Sequence, residues 1–313
     1  MEQILVNCPL HASGIDYLKD AGYEVHVVPV DDDDASLRLA PECVATVANA
    51  RLGFDESFFA IAKKMKVVGR LGVGYDNVDV PAATAAGVRV VNTPLPVIEP
   101  VAEHAFSLML ALTRAIVDGD RGVRDGRFRA AAKPTVELLG KTLGILGMGN
   151  TGKRVAEIGH RGFGMNIVYA DLAAREDVDR DLGARHVSLD ELLETSDFIS
   201  IHVGLNDATR HLIDANALTR MKSSAFLVNM SRGPVVDVGA LERALLDGQI
   251  AGAGLDVFHE EPPPVDHPLL QLDNVVLSPH RGGLSAEGQV GCAKVAHDVV
   301  RVLRGEEPEF PVN

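Results

Sequence analysis

Short β-branched apolar runs alternate with stretches of helical spacing along the chain, the pattern of parallel sheets joined by crossover helices. The first runs are Gln3–Cys8, Glu24–Val30, Cys43–Ala50, Lys66–Leu71 and Arg89–Pro94. Helical spacing fills Gly14–Ala21, Glu56–Lys63 and Val80–Ala86 between them. A second series of strands reads Lys141–Gly147, Asn166–Asp171, Phe198–Val203, Ala225–Met230, Ala251–Val257 and Asn274–Pro279. Its helices are expected at Thr151–Gly159, Leu189–Thr195, Asp214–Met221 and Val238–Leu246. Together these predict an α/β protein with two doubly wound parallel-sheet domains. Val101–Val117 reads as one long helix between the two series, suited to bridging the domains. The last helix, about Ala286–Leu303, follows the completed second sheet and is expected to return to the first domain. The carboxylate run Asp31–Asp34 is read as a solvated turn after a strand, in preference to a metal site.

Length and composition narrow the class. A chain of 313 residues suits two cores better than one. Its 46% hydrophobic and 24% charged residues are those of a globular protein. Only 4% of residues are aromatic and none is Trp, which weighs against a stacking platform for single-stranded nucleic acid. The net charge of -14 repels polyphosphate and anionic lipid, so neither nucleic acid nor membrane is an expected partner. A phosphate-bearing ligand must then be held by local backbone geometry. Cys8, Cys43 and Cys292 are widely spaced and form no CxxC, so they read as reduced, buried thiols. Met1 is followed by Glu2 and a strand-like segment, with no basic-then-apolar leader. The apolar stretch Ala105–Leu112 is shorter than a membrane span, and the expected location is the cytoplasm.

The second series opens with such a backbone cradle. Gly147-Met-Gly149-Asn-Thr-Gly152 places GxGxxG directly after an apolar strand and at the start of a helix. Alone the motif is weak; in this context it is the fingerprint of a dinucleotide site. Gly147 permits the tight turn, Gly149 lets the backbone approach a pyrophosphate, and Gly152 lets helix and strand pack closely. The anion would rest on free N–H groups at the helix start, so no basic patch is needed. Asp171 lies about 20 residues past Gly152, where a carboxylate accepts ribose hydroxyls and repels a 2′-phosphate. NAD is therefore expected over NADP, a preference that nearby Arg175 weakens.

Hydride transfer to a ketone builds negative charge on the carbonyl oxygen, which calls for a proton donor and a cation. Arg232, Glu261 and His280 each follow the C-terminal end of a predicted strand, where open α/β sheets place their ligands. Taken singly each is weak, since a lone His is commonly structural and this chain has 11.

Several motifs stand in order and together resemble the D-isomer-specific 2-hydroxyacid dehydrogenase family across nearly the whole chain. They are Gly147–Gly152 with Asp171, Asn229-Met-Ser-Arg-Gly-Pro-Val-Val-Asp, Gly252-Ala-Gly-Leu-Asp-Val-Phe with Glu260-Glu-Pro, and Ser278-Pro-His-Arg-Gly-Gly. Arg70-Leu-Gly-Val-Gly-Tyr-Asp-Asn-Val-Asp and Val91-Asn-Thr-Pro are similar to its first-domain signatures. The resemblance implies a flavodoxin-like substrate domain over residues 1–98 and 287–313 and a Rossmann NAD-binding domain over 99–286. It implies that His280 is the acid in ketone reduction and the base in alcohol oxidation, with Glu261 favouring its imidazolium. Arg232 would bind the carboxylate and carbonyl oxygens of a small 2-oxo or 2-hydroxy acid. Backbone N–H groups around Leu71, Gly72, Val73 and Gly74 would bind the carboxylate. Asp256 would hold the nicotinamide side, while Asn150, Thr151, Val203, Met230, Ser231 and Gly282 would line the cofactor. No metal is implied, and a homodimer is expected.

Two positions depart from the family pattern. Gly204 stands where Pro is usual, and Arg281 follows the catalytic His where an apolar residue is usual. A surface ion pair is the favoured reading of Arg281; the sharper one is a contact to a second anionic group of the substrate. The Arg70–Asp79 region is most similar to glyoxylate/hydroxypyruvate reductases and phosphoglycerate dehydrogenases. Asn49 stands where the phosphoglycerate branch has an arginine, although Arg51 is near, and no regulatory domain is expected after Pro311-Val-Asn. A small unphosphorylated acid such as glyoxylate, hydroxypyruvate or pyruvate is therefore the expected substrate. Phosphoglycerate oxidation, an NAD(H)-sensing corepressor-like binding protein, and a formate-type dehydrogenase are the alternatives.

Overall fold

The computed structural model describes residues 1–49, 51–129 and 134–313. The expected end of the third run, Ala50, lies outside them. The described chain divides into two compact units, Met1–Pro100 with Gly283–Asn313, and Val101–Gly282.

In the first unit β1 (Gln3–Asn7), β2 (Glu24–Val27), β3 (Cys43–Ala48), β4 (Val67–Arg70) and β5 (Arg89–Val91) form a five-stranded sheet in the order β2-β1-β3-β4-β5. Every pairing is parallel. Alternate residues feed opposite faces: Leu5 packs into one core, Ile4 and Val6 into the other. The helix Val295–Leu303 supplies Val295 and Val299 to that second core. The C-terminal stretch thus completes the first unit, with Val312 donating its N–H to the carbonyl of Val90.

In the second unit β6 (Thr142–Leu146), β7 (Asn166–Ala170), β8 (Arg185–His186), β9 (Phe198–Ile201), β10 (Phe226–Asn229), β11 (Gly252–Leu255) and β12 (Val275–Leu277) form a seven-stranded sheet. Its order is β12-β11-β10-β9-β6-β7-β8, again all parallel. Chain order reverses between β6 and β9. The loops after those two strands mark the switch point where such sheets bind ligands. Leu143 and Ile145 point into one core, Leu146 into the other.

Several elements differ from the sequence expectation. The Asp31–Asp34 run is a turn only at its start, where the Asp32 N–H donates to the Pro29 carbonyl at 3.1 Å; Asp32 Oδ1 then accepts the Ala35 amide at 2.8 Å and caps the helix Asp33–Leu39. Acidic residues at a helix start are favoured by capping and by the helix dipole, which outweighs their mutual repulsion. The expected helix Val101–Val117 is two helices, Ile98–Thr113 and Ile116–Arg124, bent by 58°. Ala115 adopts φ 49°, and the Val136 N–H takes the Thr113 carbonyl that a continuing helix would have used. The last helix is likewise split, into Ala286–Cys292 and Val295–Leu303. The helix Glu176–Leu182 and the two-residue strand β8 were not expected; both β8 side chains are exposed, so no apolar run marks it. No single described helix is long and apolar enough to cross a membrane.

Candidate active site

The turn after β6 is shaped by steric contact. Gly147 has φ 94°, and a side-chain carbon on Gly152 would lie 2.1 Å from the Gly147 carbonyl oxygen. Only glycine lets the helix Asn150–Phe163 start so close to the strand. Gly149 faces open space. As N-cap, Gly149 offers no side chain to the first-turn N–H groups, which point out of the helix end with no intrahelical acceptor. Asn150 is exposed and Thr151 half-buried there, while Val203, half-buried, packs beside Gly147 after β9. Asp171 directly follows β7, exposed, its carboxylate oriented by the Met148 and Leu172 amides, both at 2.6 Å. Arg175 is turned elsewhere: it donates to the Met148 carbonyl at 3.0 Å and pairs with Asp177. That pairing, joined by Lys153, holds the Asp177 carboxyl far below the usual range. An uncapped helix end, a cradle that side chains would fill and a positioned carboxylate fit an NAD molecule.

The loops after β10, β11 and β12 bring the catalytic candidates together. Asn229, at the end of β10, accepts the Ser231 N–H and Oγ–H on Oδ1, both at 3.0 Å, and donates to the Arg232 carbonyl at 2.9 Å. This loop therefore holds Met230 and Ser231 nearly buried and leaves Arg232 half-buried. Gly233 follows, where a side-chain carbon would meet the Phe258 carbonyl group at 2.0 Å. The missing side chain lets the Arg232 loop lie directly against the loop carrying Glu261.

Glu261 Oε1 accepts the Phe258 amide at 3.0 Å, and Oε2 accepts Nδ1–H of His280 at 2.6 Å. Burial opposes ionisation of Glu261. The hydrogen bond and charge of His280, the Phe258 amide and the charge of Arg232 outweigh it and hold the carboxyl below its ordinary value. Glu261 fixes the imidazole by Nδ1 and leaves Nε2 as the working face. A cavity of about 430 Å³ lined by Phe258, Pro262, Leu270, Leu277 and Pro279 adjoins the pair. Behind it Asp256, 2% exposed, accepts the amides of Arg281 at 2.9 Å and Gly282 at 2.7 Å. Arg281 is exposed, and its guanidinium has no ion pair among the described residues. The expected surface pair is not formed. Gly204 sits in a turn closed by Thr209 Oγ, which donates to the Gly204 carbonyl at 2.7 Å.

In the first unit the Leu71–Gly74 loop follows β4. Leu71 N–H donates to the Ala48 carbonyl and Gly72 N–H to Thr93 Oγ1, so both are already engaged. The Val73 and Gly74 amides have no acceptor among the described residues. Buried Arg70 donates to the Gly74 carbonyl at 3.2 Å, and Asn92 to that of Val73 at 2.9 Å. These two carbonyls are engaged by side chains of their own unit. Arg70, Asn92, Thr93, Asn229, His104 and Ser278 were not singled out from sequence. All but His104 lie inside motifs named above, but their work, holding backbone or another side chain, is not marked by motif spacing.

A nucleotide cradle at the switch point of a doubly wound sheet, with a carboxylate-held imidazole after another strand of the same sheet, defines a dinucleotide-dependent oxidoreductase. Residues 106–282 match the model of the D-isomer specific 2-hydroxyacid dehydrogenase NAD binding domain. A glyoxylate reductase of Korarchaeum cryptofilum is 46% identical over 277 residues, spanning 87% of this chain and 83% of that protein. A D-3-phosphoglycerate dehydrogenase of Archaeoglobus fulgidus is 37% identical over 99% of this chain but only 59% of its own length. The crystal structure of a glyoxylate reductase from Paecilomyes thermophila superposes with a TM-score of 0.89 at 32% identity, covering 99% of this chain and 98% of that one. The chain belongs to the D-isomer specific 2-hydroxyacid dehydrogenases, NAD-dependent oxidoreductases acting on CH–OH groups.

Proposed function

We propose that the protein is a glyoxylate/hydroxypyruvate-type reductase, interconverting a small D-2-hydroxy acid and its 2-oxo acid with NAD(H). The 2.6 Å Glu261–His280 bond carries this reading, since a carboxylate behind an imidazole equips it to give and take a proton. Bound NADH supplies the hydride. His280 Nε2 then donates the proton to the carbonyl oxygen, and Glu261 offsets the charge that His280 carries before transfer. Arg232 grips carboxylate and carbonyl oxygens through its fork of donors. The Val73 and Gly74 amides bind the carboxylate, which makes residues 1–98 with 287–313 the substrate domain. Asn150, Thr151, Val203, Met230, Ser231, Asp256 and Gly282 contact the cofactor, and Asp171 takes the ribose hydroxyls. Ile116, Val117, Val123 and Phe128 are exposed apolar side chains on and after one helix, which supports a homodimer through this face. Three buried thiols, that of Cys8 pushed up to about 12 by burial, support a cytoplasmic location.

The test is NADH absorbance with glyoxylate, hydroxypyruvate, pyruvate and 3-phosphohydroxypyruvate. Glyoxylate or hydroxypyruvate should exceed the phosphorylated acid by at least about tenfold in kcat/KM. Tight NADH binding with no turnover of any acid would favour the sensor instead. Arg281 has a share in this choice. Its exposed, unpaired guanidinium is expected to favour substrates with a second anionic group. Arg281→Ala should raise KM for a dicarboxylic 2-oxo acid by about tenfold and leave that for pyruvate within about twofold. Equal changes for both would leave Arg281 no part in specificity.

A further inference from the structure

His280 is one of three described non-glycine residues with positive φ, at 47°. Left-handed backbone is unfavourable for a residue with a side chain and persists only where neighbouring bonds impose it. Here the His280 N–H is shared with the Ser278 carbonyl at 3.1 Å, and the other bonds converge on Asp256. The His280 N–H donates to the Asp256 main-chain carbonyl at 2.8 Å. The next two amides, of Arg281 and Gly282, donate to the two oxygens of the Asp256 carboxylate at 2.9 Å and 2.7 Å. Two of the bonds that hold the turn therefore depend on the rotation of that carboxylate.

What fixes the rotation lies one layer further back. Ser278 Oγ is 2.5 Å from Asp256 Oδ1, and His104 Nε2 is 2.8 Å from Ser278 Oγ and 3.4 Å from Asp256 Oδ1. Proton counting gives the chain a direction. Burial opposes ionisation of Asp256, but its bonds to His104, Ser278, Arg281 and Gly282 keep its pKa below the ordinary value, so it only accepts. The single hydroxyl proton of Ser278 must therefore go to Asp256. The Ser278 oxygen is left as an acceptor, and His104 must present Nε2–H to it.

We propose that His104 is a positioning residue, acting through Ser278 and Asp256 to hold the strained turn that aims His280. The inference rests on the reading of His280 as proton donor for its catalytic consequence, but not for its structural one. A leucine at position 104 leaves Ser278 Oγ without a donor and frees the hydroxyl to rotate. Asp256 then loses a fixed partner, and the Arg281 and Gly282 amides lose a fixed acceptor. A glutamine places an amide N–H close to where Nε2–H stood and should restore the chain.

The experiment compares the full-length parent with His104→Leu and His104→Gln by amide hydrogen exchange and steady-state kinetics. In His104→Leu the Arg281 and Gly282 amides should exchange at least about tenfold faster, with kcat falling about tenfold and KM for the 2-oxo acid within about twofold. His104→Gln should return both readouts to within about threefold of the parent. Unchanged exchange in His104→Leu, an unchanged kcat where His280→Ala loses turnover, or a glutamine variant as impaired as the leucine one while melting like the parent would overturn the proposal. Faster exchange in His104→Leu, together with full turnover in His280→Ala, would instead remove the proton-donor reading and leave the positioning of the turn standing.

Discussion

Replacing His280 with alanine is expected to lower turnover of a 2-oxo acid by ~10²–10⁴-fold while NADH still binds. The two halves of this expectation have different physical sources. On the proposed reading cofactor affinity would reside in the Gly147–Gly152 cradle and Asp171, none of which has a hydrogen bond to the imidazole. On the proposed reading proton delivery would fall to His280, which Glu261 meets through Nδ1. Water can protonate the developing alkoxide, so the loss should stop short of the uncatalysed rate. Single-turnover kinetics with pre-bound NADH separates the two: a slow hydride step with normal NADH fluorescence titration is the expected outcome. Turnover within about threefold of the parent would remove His280 from the chemistry.

Gly233→Ala should be nearly as damaging although Gly233 carries no chemistry. Its added carbon would fall 2.0 Å from the Phe258 carbonyl group and 2.3 Å from the His259 nitrogen. Backbone cannot yield as a flexible side-chain tip would, so the two loops must part. A displacement of about 1 Å at Arg232 is enough to cost ~10²-fold in kcat/KM. The overpacking itself should cost about 3 kcal/mol of stability, read as a fall in Tm. Arg232 and Glu261 sit on the loops that separate, so substrate binding and the His280 pair should suffer together. A variant with parental Tm and kcat/KM would show that the two loops are not held by this contact.

Much of the architecture was legible in the sequence because strands buried on both faces leave continuous apolar runs, and both sheets are parallel. The dinucleotide turn was legible because three glycines meet three separate steric demands at fixed spacing. Where reading failed, the signal was absent or equivocal. β8 has two residues, both exposed, and is set by pairing with β7 alone. The break at Ala115 contains neither Pro nor Gly; the Val136 amide, distant in sequence, competes for the Thr113 carbonyl. The Asp31–Asp34 run was ambiguous, since the same carboxylates suit a solvated turn and a helix start. At the site, Arg232, Glu261 and His280 could be named from motifs. The supporting roles of Asn229, Ser278 and His104 could not, although the first two lie inside those motifs, because holding a loop or another side chain leaves no spacing rule. The Leu71–Gly74 loop divides in a way only coordinates reveal: two amides turn inward to the Ala48 carbonyl and Thr93, and two have no acceptor among the described residues.

The helix that begins at Asn150 has no cap of its own, because Gly149 brings no side-chain acceptor. A pyrophosphate resting there would serve as the cap, completing a secondary-structure element that the polypeptide leaves open. Cofactor and helix would then be mutually stabilising partners, so loading the nucleotide also finishes folding the strand–turn–helix unit. Because such a grip depends on oriented peptide dipoles in place of lysines, a chain this acidic can keep its nucleotide in a crowded ionic medium without relying on attraction at a distance.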